Sequence, residues 1–199
     1  MTDSTRYPAY DVWEQNEHWD EHTRHIVGKR RIAKLANRFF THQEGLLLQT
    51  VVGLLLDEHR QEVLSFVMEH LDESLRKPFG ESQRKVGIPP RSELYRTGLA
   101  GIDEASHTLY QGSFLSLNPE RQRDVLSHIA SGKAASTSAW SGLPQQAFFQ
   151  KLLFDAVSAG YSHPLVWSEI GYGGPAYPRG YVRVEKGLVD PWEAKRHGE

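Results

Sequence analysis

The chain has 199 residues, 39% of them hydrophobic and 24% charged, which suits one folded domain of ordinary size rather than a disordered segment. Its formal net charge is -2, and phosphate binding needs a basic face, which argues against nucleic acid and anionic membrane surfaces as main partners. There is no cysteine, which excludes disulfides, thiolate metal sites, iron–sulfur clusters and cysteine nucleophiles.

The opening residues, MTDSTRYPAYDVWEQNEHWDEH, are polar and aromatic. No basic stretch is followed by an apolar one, so no secretory signal is expected. By its own sequence the chain reads as cytoplasmic, reaching a periplasm only with an exported partner. Residues 1–17 read as an extended arm whose Tyr7, Tyr10 and Trp13 lie in grooves of the domain or of a partner. A first helix is expected from Trp19 to about Leu35, with Trp19, Ile26, Ile32 and Leu35 inward. His18, His22 and His25 would then share one face at spacings of four and three. Imidazoles so spaced can grip zinc, but the order His-Trp-Asp-Glu-His does not supply the His-Glu-x-x-His arrangement of a zinc hydrolase. A polar helix face is the simpler reading. A stand-alone metal-dependent enzyme built on these three histidines is the minor alternative.

Thr41-His42-Gln43-Glu44 is a capping box, in which the threonine hydroxyl and the glutamate each satisfy a free N–H of the first turn. It starts a second helix to about Leu56. The run Leu46 to Leu56 is apolar nearly all round, which predicts a central helix, and at 11 residues it is too short to cross a bilayer. A third helix spans Gln61 to about Leu75, with Val63, Phe66, Val67 and Leu71 on one stripe and Lys77-Pro78-Phe79-Gly80 as its stop. Residues 77–91 read as a loop. A fourth helix, Ser92 to Tyr110, carries Leu94, Leu99, Ile102 and Leu109 inward, and Gly98, Ala100, Gly101 and Ala105 permit close approach of another helix. Asn118-Pro119-Glu120 starts a fifth, with asparagine as N-cap and proline in the first turn. It ends near Ser131-Gly132. Pro144 opens a sixth, with Phe148, Leu152 and Val157 inward and Gly160 at its end. No element longer than a turn is expected from Tyr161 onward.

The expected fold is therefore all-α: a compact single domain over residues 1–199, with a bundle of about six helices over 18–160. An arm (1–17) and an irregular segment rich in Gly, Pro and Tyr (161–199) flank it. No catalytic residue is assigned, because no nucleophile elbow precedes a helix and no acid is placed to orient a histidine. Gly171-Tyr172-Gly173-Gly174-Pro175 follows no strand and lacks the lysine of a phosphate loop, so no cofactor ligand is assigned either. His163 is expected to order the C-terminal segment by hydrogen bonding. The run from Glu169 to Arg183, EIGYGGPAYPRGYVR, is too aromatic for a slack linker and reads as a docking element.

Several runs carry a likeness to a known family. They are Tyr95-Arg96-Thr97-Gly98-Leu99-Ala100-Gly101-Ile102-Asp103, then Phe114-Leu115-Ser116-Leu117, the Gln145–Phe154 helix, and Tyr161-Ser162-His163-Pro164. The most specific is Trp167-Ser168-Glu169-Ile170-Gly171-Tyr172-Gly173-Gly174-Pro175 with Tyr177-Pro178-Arg179-Gly180-Tyr181. Across about residues 92–193 the chain resembles the gluconate 2-dehydrogenase subunit 3 family, the small subunits of flavin-dependent sugar and sugar-acid dehydrogenases. The resemblance implies a helical accessory subunit that binds no cofactor itself. It implies a large FAD-containing partner of the glucose–methanol–choline type, which holds the flavin and the acid/base residues, and often a cytochrome c subunit as electron acceptor. It also implies a role in the folding, stability or export of that partner. Several members carry a twin-arginine signal that this sequence lacks, which speaks against export driven by this chain.

The expected function is that of a non-catalytic small subunit that binds and stabilises or matures the large one. The alternative is a dedicated assembly chaperone that leaves once the flavoprotein has folded. Docking is expected through Tyr7, Tyr10 and Trp13 of the arm and through His163, Trp167, Glu169, Tyr172, Tyr177, Arg179 and Tyr181. Tyr, Trp and Arg dominate interface energetics, and Pro175 and Pro178 stiffen the segment, which lowers the ordering entropy lost on docking.

Overall fold

The computed structural model describes residues 5–32, 39–77, 84–183 and 185–195, and among these described residues it holds seven α-helices, two short 3-10 helices and no strand. The α-helices are α1 (Glu21–Arg30), α2 (His42–Leu56), α3 (Gln61–Leu75), α4 (Arg91–Tyr110), α5 (Pro119–Ala130), α6 (Gln145–Gly160) and α7 (Pro164–Ile170). The 3-10 helices are Val12–His18 and Phe114–Ser116.

The helix starts with local signals form as their sequences dictate. The Thr41 hydroxyl accepts from the Glu44 N–H at 3.2 Å, and the Thr41 N–H donates to Glu44 Oε2 at 2.8 Å, closing the capping box of α2. Glu44 also accepts from Arg96 at 3.0 Å, which ties the start of α2 to α4. Asn118 accepts from the Arg121 N–H at 2.9 Å ahead of Pro119 and starts α5. Asp72 on α3 accepts from the N–H groups of Phe39 and Phe40, fixing the entry to α2.

The main core lies between α2 and α6, each of which packs against at least three other helices. Leu48, Val51, Val67, Leu71, Ile102, Ile129, Phe148 and Leu152 are its buried centre. Gly98 and Gly101 on α4 leave room for aromatic rings. A methyl at Gly98 would meet the Phe148 ring, and one at Gly101 the Trp140 ring. The other two small residues of that row divide: Ala105 is buried and Ala100 is exposed. Across the same contact the buried Asp155 of α6 accepts from Tyr95 Oη at 2.8 Å, Arg91 Nη2 at 3.1 Å and Lys151 Nζ at 2.7 Å. Burial first, and the adjacent carboxylate second, hold the Tyr95 phenol well above its ordinary range, so it stays a donor.

Four sequence expectations are corrected. The arm is not extended throughout, because Asp11 caps the Val12–His18 3-10 helix by accepting from the Trp13 N–H at 2.9 Å. The first α-helix starts at Glu21, not Trp19, because Asp20 acts as N-cap, accepting from the Thr23 N–H at 2.7 Å. It ends at Arg30; Ile26 and Ile32 face solvent and Val27 is its buried residue. Leu35 and the Pro78-Phe79-Gly80 stop lie outside the described residues. Leu109 and Val157 point outward; the inner faces are completed by Ser106 on α4 and by Ala156 and Ala159 on α6. Finally, residues after Tyr161 do contain a helix, α7.

Candidate partner-docking surface

Helix α7 forms because both of its ends are specified. His163 is the N-cap, its Nδ1 accepting from the Leu165 N–H at 3.2 Å, and Pro164 fills the first helical position. Gly171 closes the helix at φ 74°, where the Tyr172 N–H reaches the Trp167 carbonyl at 2.9 Å. A side chain at Gly171 would also strike the Tyr7 ring, so glycine is required there twice over.

The arm lies along α7. Thr5 Oγ1 donates to the Glu169 carbonyl at 2.6 Å, and the Val12 N–H donates to Ser168 Oγ at 3.0 Å. Val12, Trp19, Val27 and Trp167 bury one another in a second, smaller core, with Tyr10 and Trp13 against it. The Trp13 and Trp19 rings meet edge to face at 6.1 Å. Arg30 of α1 stacks over Trp167 at 5.4 Å and donates to the Ser162 carbonyl at 2.9 Å.

The tail then folds back over the arm. Tyr10 Oη donates to the Trp192 carbonyl at 2.8 Å. Burial, opposed in part by Arg179, pushes the Tyr10 phenol up to about 12, so this donor keeps its proton. Arg179 donates to the carbonyl of Gly173 and stacks over Trp192 at 5.0 Å. The buried Asp190 accepts from the N–H groups of Val182 and Arg183 at 3.0 and 2.9 Å and thereby closes the loop between them.

This geometry divides the residues expected to dock. Tyr7, Tyr10 and Trp13 are half-buried against the chain's own α7 and tail. His163 and Trp167 are buried, and Arg179 is half-buried among carbonyls and Trp192. Glu169 is exposed and pairs with Arg60 at 2.8 Å. Tyr172, Tyr177 and Tyr181 are the members that face solvent, at 40%, 73% and 65% exposure. His163 does order the segment by hydrogen bonding. Burial first, and the Arg60 charge second, lower its pKa to about 4, so it caps α7 as a neutral ring.

The three histidines of the metal alternative are not on one helix. His18 ends the 3-10 helix, Trp19 is extended at φ -99° and ψ 152°, and His22 and His25 follow on α1. His18 packs instead beside the Trp192 ring at 5.5 Å. Among the described residues no group of three or more His, Asp or Glu side chains is gathered in a metal-holding arrangement. Among them too, no helix is long and apolar enough to cross a membrane.

Several residues of the region were not singled out from the sequence. Ser168, Asp190 and Trp192 act through contacts more than 150 positions away or within an irregular tail. Phe154 on α6, Tyr161 at its C-cap and Ile170 at the end of α7 are exposed apolar side chains that were likewise not singled out, and Val157, expected inward, joins them. Their signal was present as an α6 too apolar for one buried stripe.

No curated protein and no solved structure matches the chain. A family model described as gluconate 2-dehydrogenase subunit 3 matches residues 42–174, more than half of the chain, from the start of α2 to the glycines beyond α7. The chain therefore belongs to the gluconate 2-dehydrogenase subunit 3 family.

Proposed function

We propose that this chain is a non-catalytic accessory subunit that binds and stabilises a large FAD-dependent sugar or alcohol dehydrogenase subunit of the glucose–methanol–choline type. Membership of a family described as a dehydrogenase subunit carries this reading. The use made of the buried ionisable groups supports it. Asp155 staples α4 to α6, Asp72 holds the entry to α2, Glu58 accepts from the His59 and Arg60 N–H groups, and His163 caps α7. Each is consumed in holding the fold. The flavin and the acid/base residues belong to the partner in this reading, and a cytochrome c subunit takes its electrons.

The exposed Tyr172, Tyr177 and Tyr181 offer stiff, amphipathic contact area of the kind interfaces favour. The arm serves them indirectly, by clamping α7 and the tail in one arrangement before docking. Co-expression with the flavoprotein, followed by size-exclusion with absorbance in the flavin band, tests the proposal. A yellow complex containing both chains is expected. A yellow, active flavoprotein that forms only when this chain is present yet elutes without it would make the chain an assembly chaperone. Flavoprotein yield and activity unchanged by omission of the chain would refute both.

A further inference from the structure

The buried apolar side chains fall into two separate clusters. The larger runs through α2 to α6 and reaches α7 at Val166, with Leu165 packed against it. The smaller joins Val12, Trp19 and Val27, from the N-terminal part of the chain, to Trp167 of α7. α7 therefore lies between two cores. α1 belongs to the smaller one: it faces α3 across an open cleft of 960 Å³, with Arg24, His25 and Lys29 on one side and Glu62 and Glu69 on the other. The joins of the arm and α1 lead to α7, to the turn before it and to the tail. The Val12 N–H meets Ser168, Thr5 the Glu169 carbonyl, Arg30 the Ser162 carbonyl and Tyr10 the Trp192 carbonyl. The tail touches the same N-terminal part at two further points. The His18 ring lies 5.5 Å from that of Trp192, and a methyl at Gly174 would strike the Trp19 indole.

We propose that the arm, α1 and the tail form one strap that opens from α7 as a unit while α2 to α6 stay folded, and that its closing sets Tyr177 and Tyr181 in place. The inference concerns the free chain and does not depend on the accessory-subunit reading. Three features make the strap open first. A region with few buried apolar contacts opens at lower free energy than the rest of a protein. The strap contributes three fully buried apolar side chains to its core, whereas the larger core spans five helices. α1 has ten residues, too few to persist as a helix in water once Val27 is uncovered. Trp19 Nε1 is buried with no hydrogen-bond partner among the described residues, so opening gives it a bond to water that closing removes. Arm and tail open together because Tyr10 and Trp19 each pack on the smaller core and also hold the tail.

The test is hydrogen exchange of the full chain in urea below its main unfolding transition, read residue by residue by NMR. The Val182 and Arg183 amides, held by Asp190, report the tail. They should exchange through the same opening as the amides of the Val12–His18 helix and α1, while α2 to α6 stay protected. Val12→Ala, which thins the smaller core, should speed exchange in arm, α1 and tail alike by about tenfold and leave α2 to α6 unchanged. Tyr10→Phe, which removes only the hydroxyl that reaches Trp192, should speed the same set by a smaller factor. The tail is the decisive readout, because local loosening of the arm would leave it unmoved. Arm and α1 amides that exchange only together with α2 to α6, in the wild type or in Val12→Ala, overturn the inference, since the strap is then part of the main fold. Faster exchange in the arm with an unchanged tail also overturns it, because the two then open separately.

Discussion

Gly98→Ala is the sharpest test of how α4 and α6 fit together, because two effects oppose each other there. Gly98 sits inside α4, where alanine in place of glycine favours the helix by about 1 kcal/mol. A methyl at that position would stand 2.6 Å from Phe148 Cζ and closer still to two other ring carbons. Phe148 is fully buried, meets Tyr95 edge to face at 6.3 Å and lies 5.9 Å from Trp140. The ring cannot swing away, so α4 and α6 have to separate. Overpacking of this kind costs about 1–3 kcal/mol or more. With three ring carbons inside 3 Å the clash belongs to the upper part of that range, about 2–3 kcal/mol, so it outweighs the propensity gain and the expected net destabilisation is about 1–2 kcal/mol.

For a chain of this size that loss lowers Tm by roughly 2–8 °C, which thermal and urea melts followed by circular dichroism will resolve. The same substitution in a Phe148→Ala background separates the causes. With the ring gone, Gly98→Ala should become neutral or stabilise by up to about 1 kcal/mol. A raised Tm for the single variant, or an equal loss in both backgrounds, would refute the idea that Gly98 is the seat of the Phe148 ring.

Three other outcomes concern the C-terminal segment. Because the folded-state pKa of His163 lies near 4, below the usual 6.5, its contribution is fully present above pH 6.5 and is lost as pH falls through about 4. That loss amounts to about 3 kcal/mol at most, and His163→Asn, which can still cap α7 but does not titrate, should flatten it; parallel pH profiles for the two proteins would contradict the assignment. Tyr177→Ala removes a side chain that is 73% exposed, so it should leave Tm unchanged and weaken the flavoprotein complex by about 1–2 kcal/mol. Arg179→Ala should lower both stability and affinity, because Arg179 holds the Gly173 carbonyl and Trp192 before any partner arrives. A Tyr177 variant that melts early, or an Arg179 variant that does not, would reverse these two roles.

What could be read from the sequence follows the range of the interactions involved. The starts of α2 and α5 were legible because a threonine–glutamate box and an Asn-Pro pair act within four residues. The close approach at Gly98 and Gly101 was legible as a row of small residues, although the second ring seated there, Trp140, comes from a loop and not a helix. α7 escaped because its N-cap is a histidine, which works only when buried and neutral, a condition set by Phe66 and Arg60 from a distant part of the chain. The break before α1 did carry signals, since Asp11 and Asp20 each stand one residue before a helical start. They were outweighed by a run of polar residues that fits one long helix equally well.

The candidate docking surface was half legible for a related reason. Residue type identifies groups able to dominate an interface but not whether the chain itself consumes them. Tyr10, Trp13, Trp167 and Arg179 have the right chemistry, and the fold spends them on joining the arm to a tail some 180 positions away. Phe154, Val157 and Tyr161 have the same chemistry; Val157 belongs to the expected core stripe, and nothing in the sequence marks Phe154 or Tyr161 for an interface. Only the orientation of α6, fixed by Phe148, Leu152, Ala156 and Ala159 facing inward, turns them to solvent. Within a subunit, burial is therefore what separates residues that build the surface from residues that present it. The clasp between arm and tail belongs to the first kind, and the solvent-facing Tyr172, Tyr177 and Tyr181 are the candidates for the second.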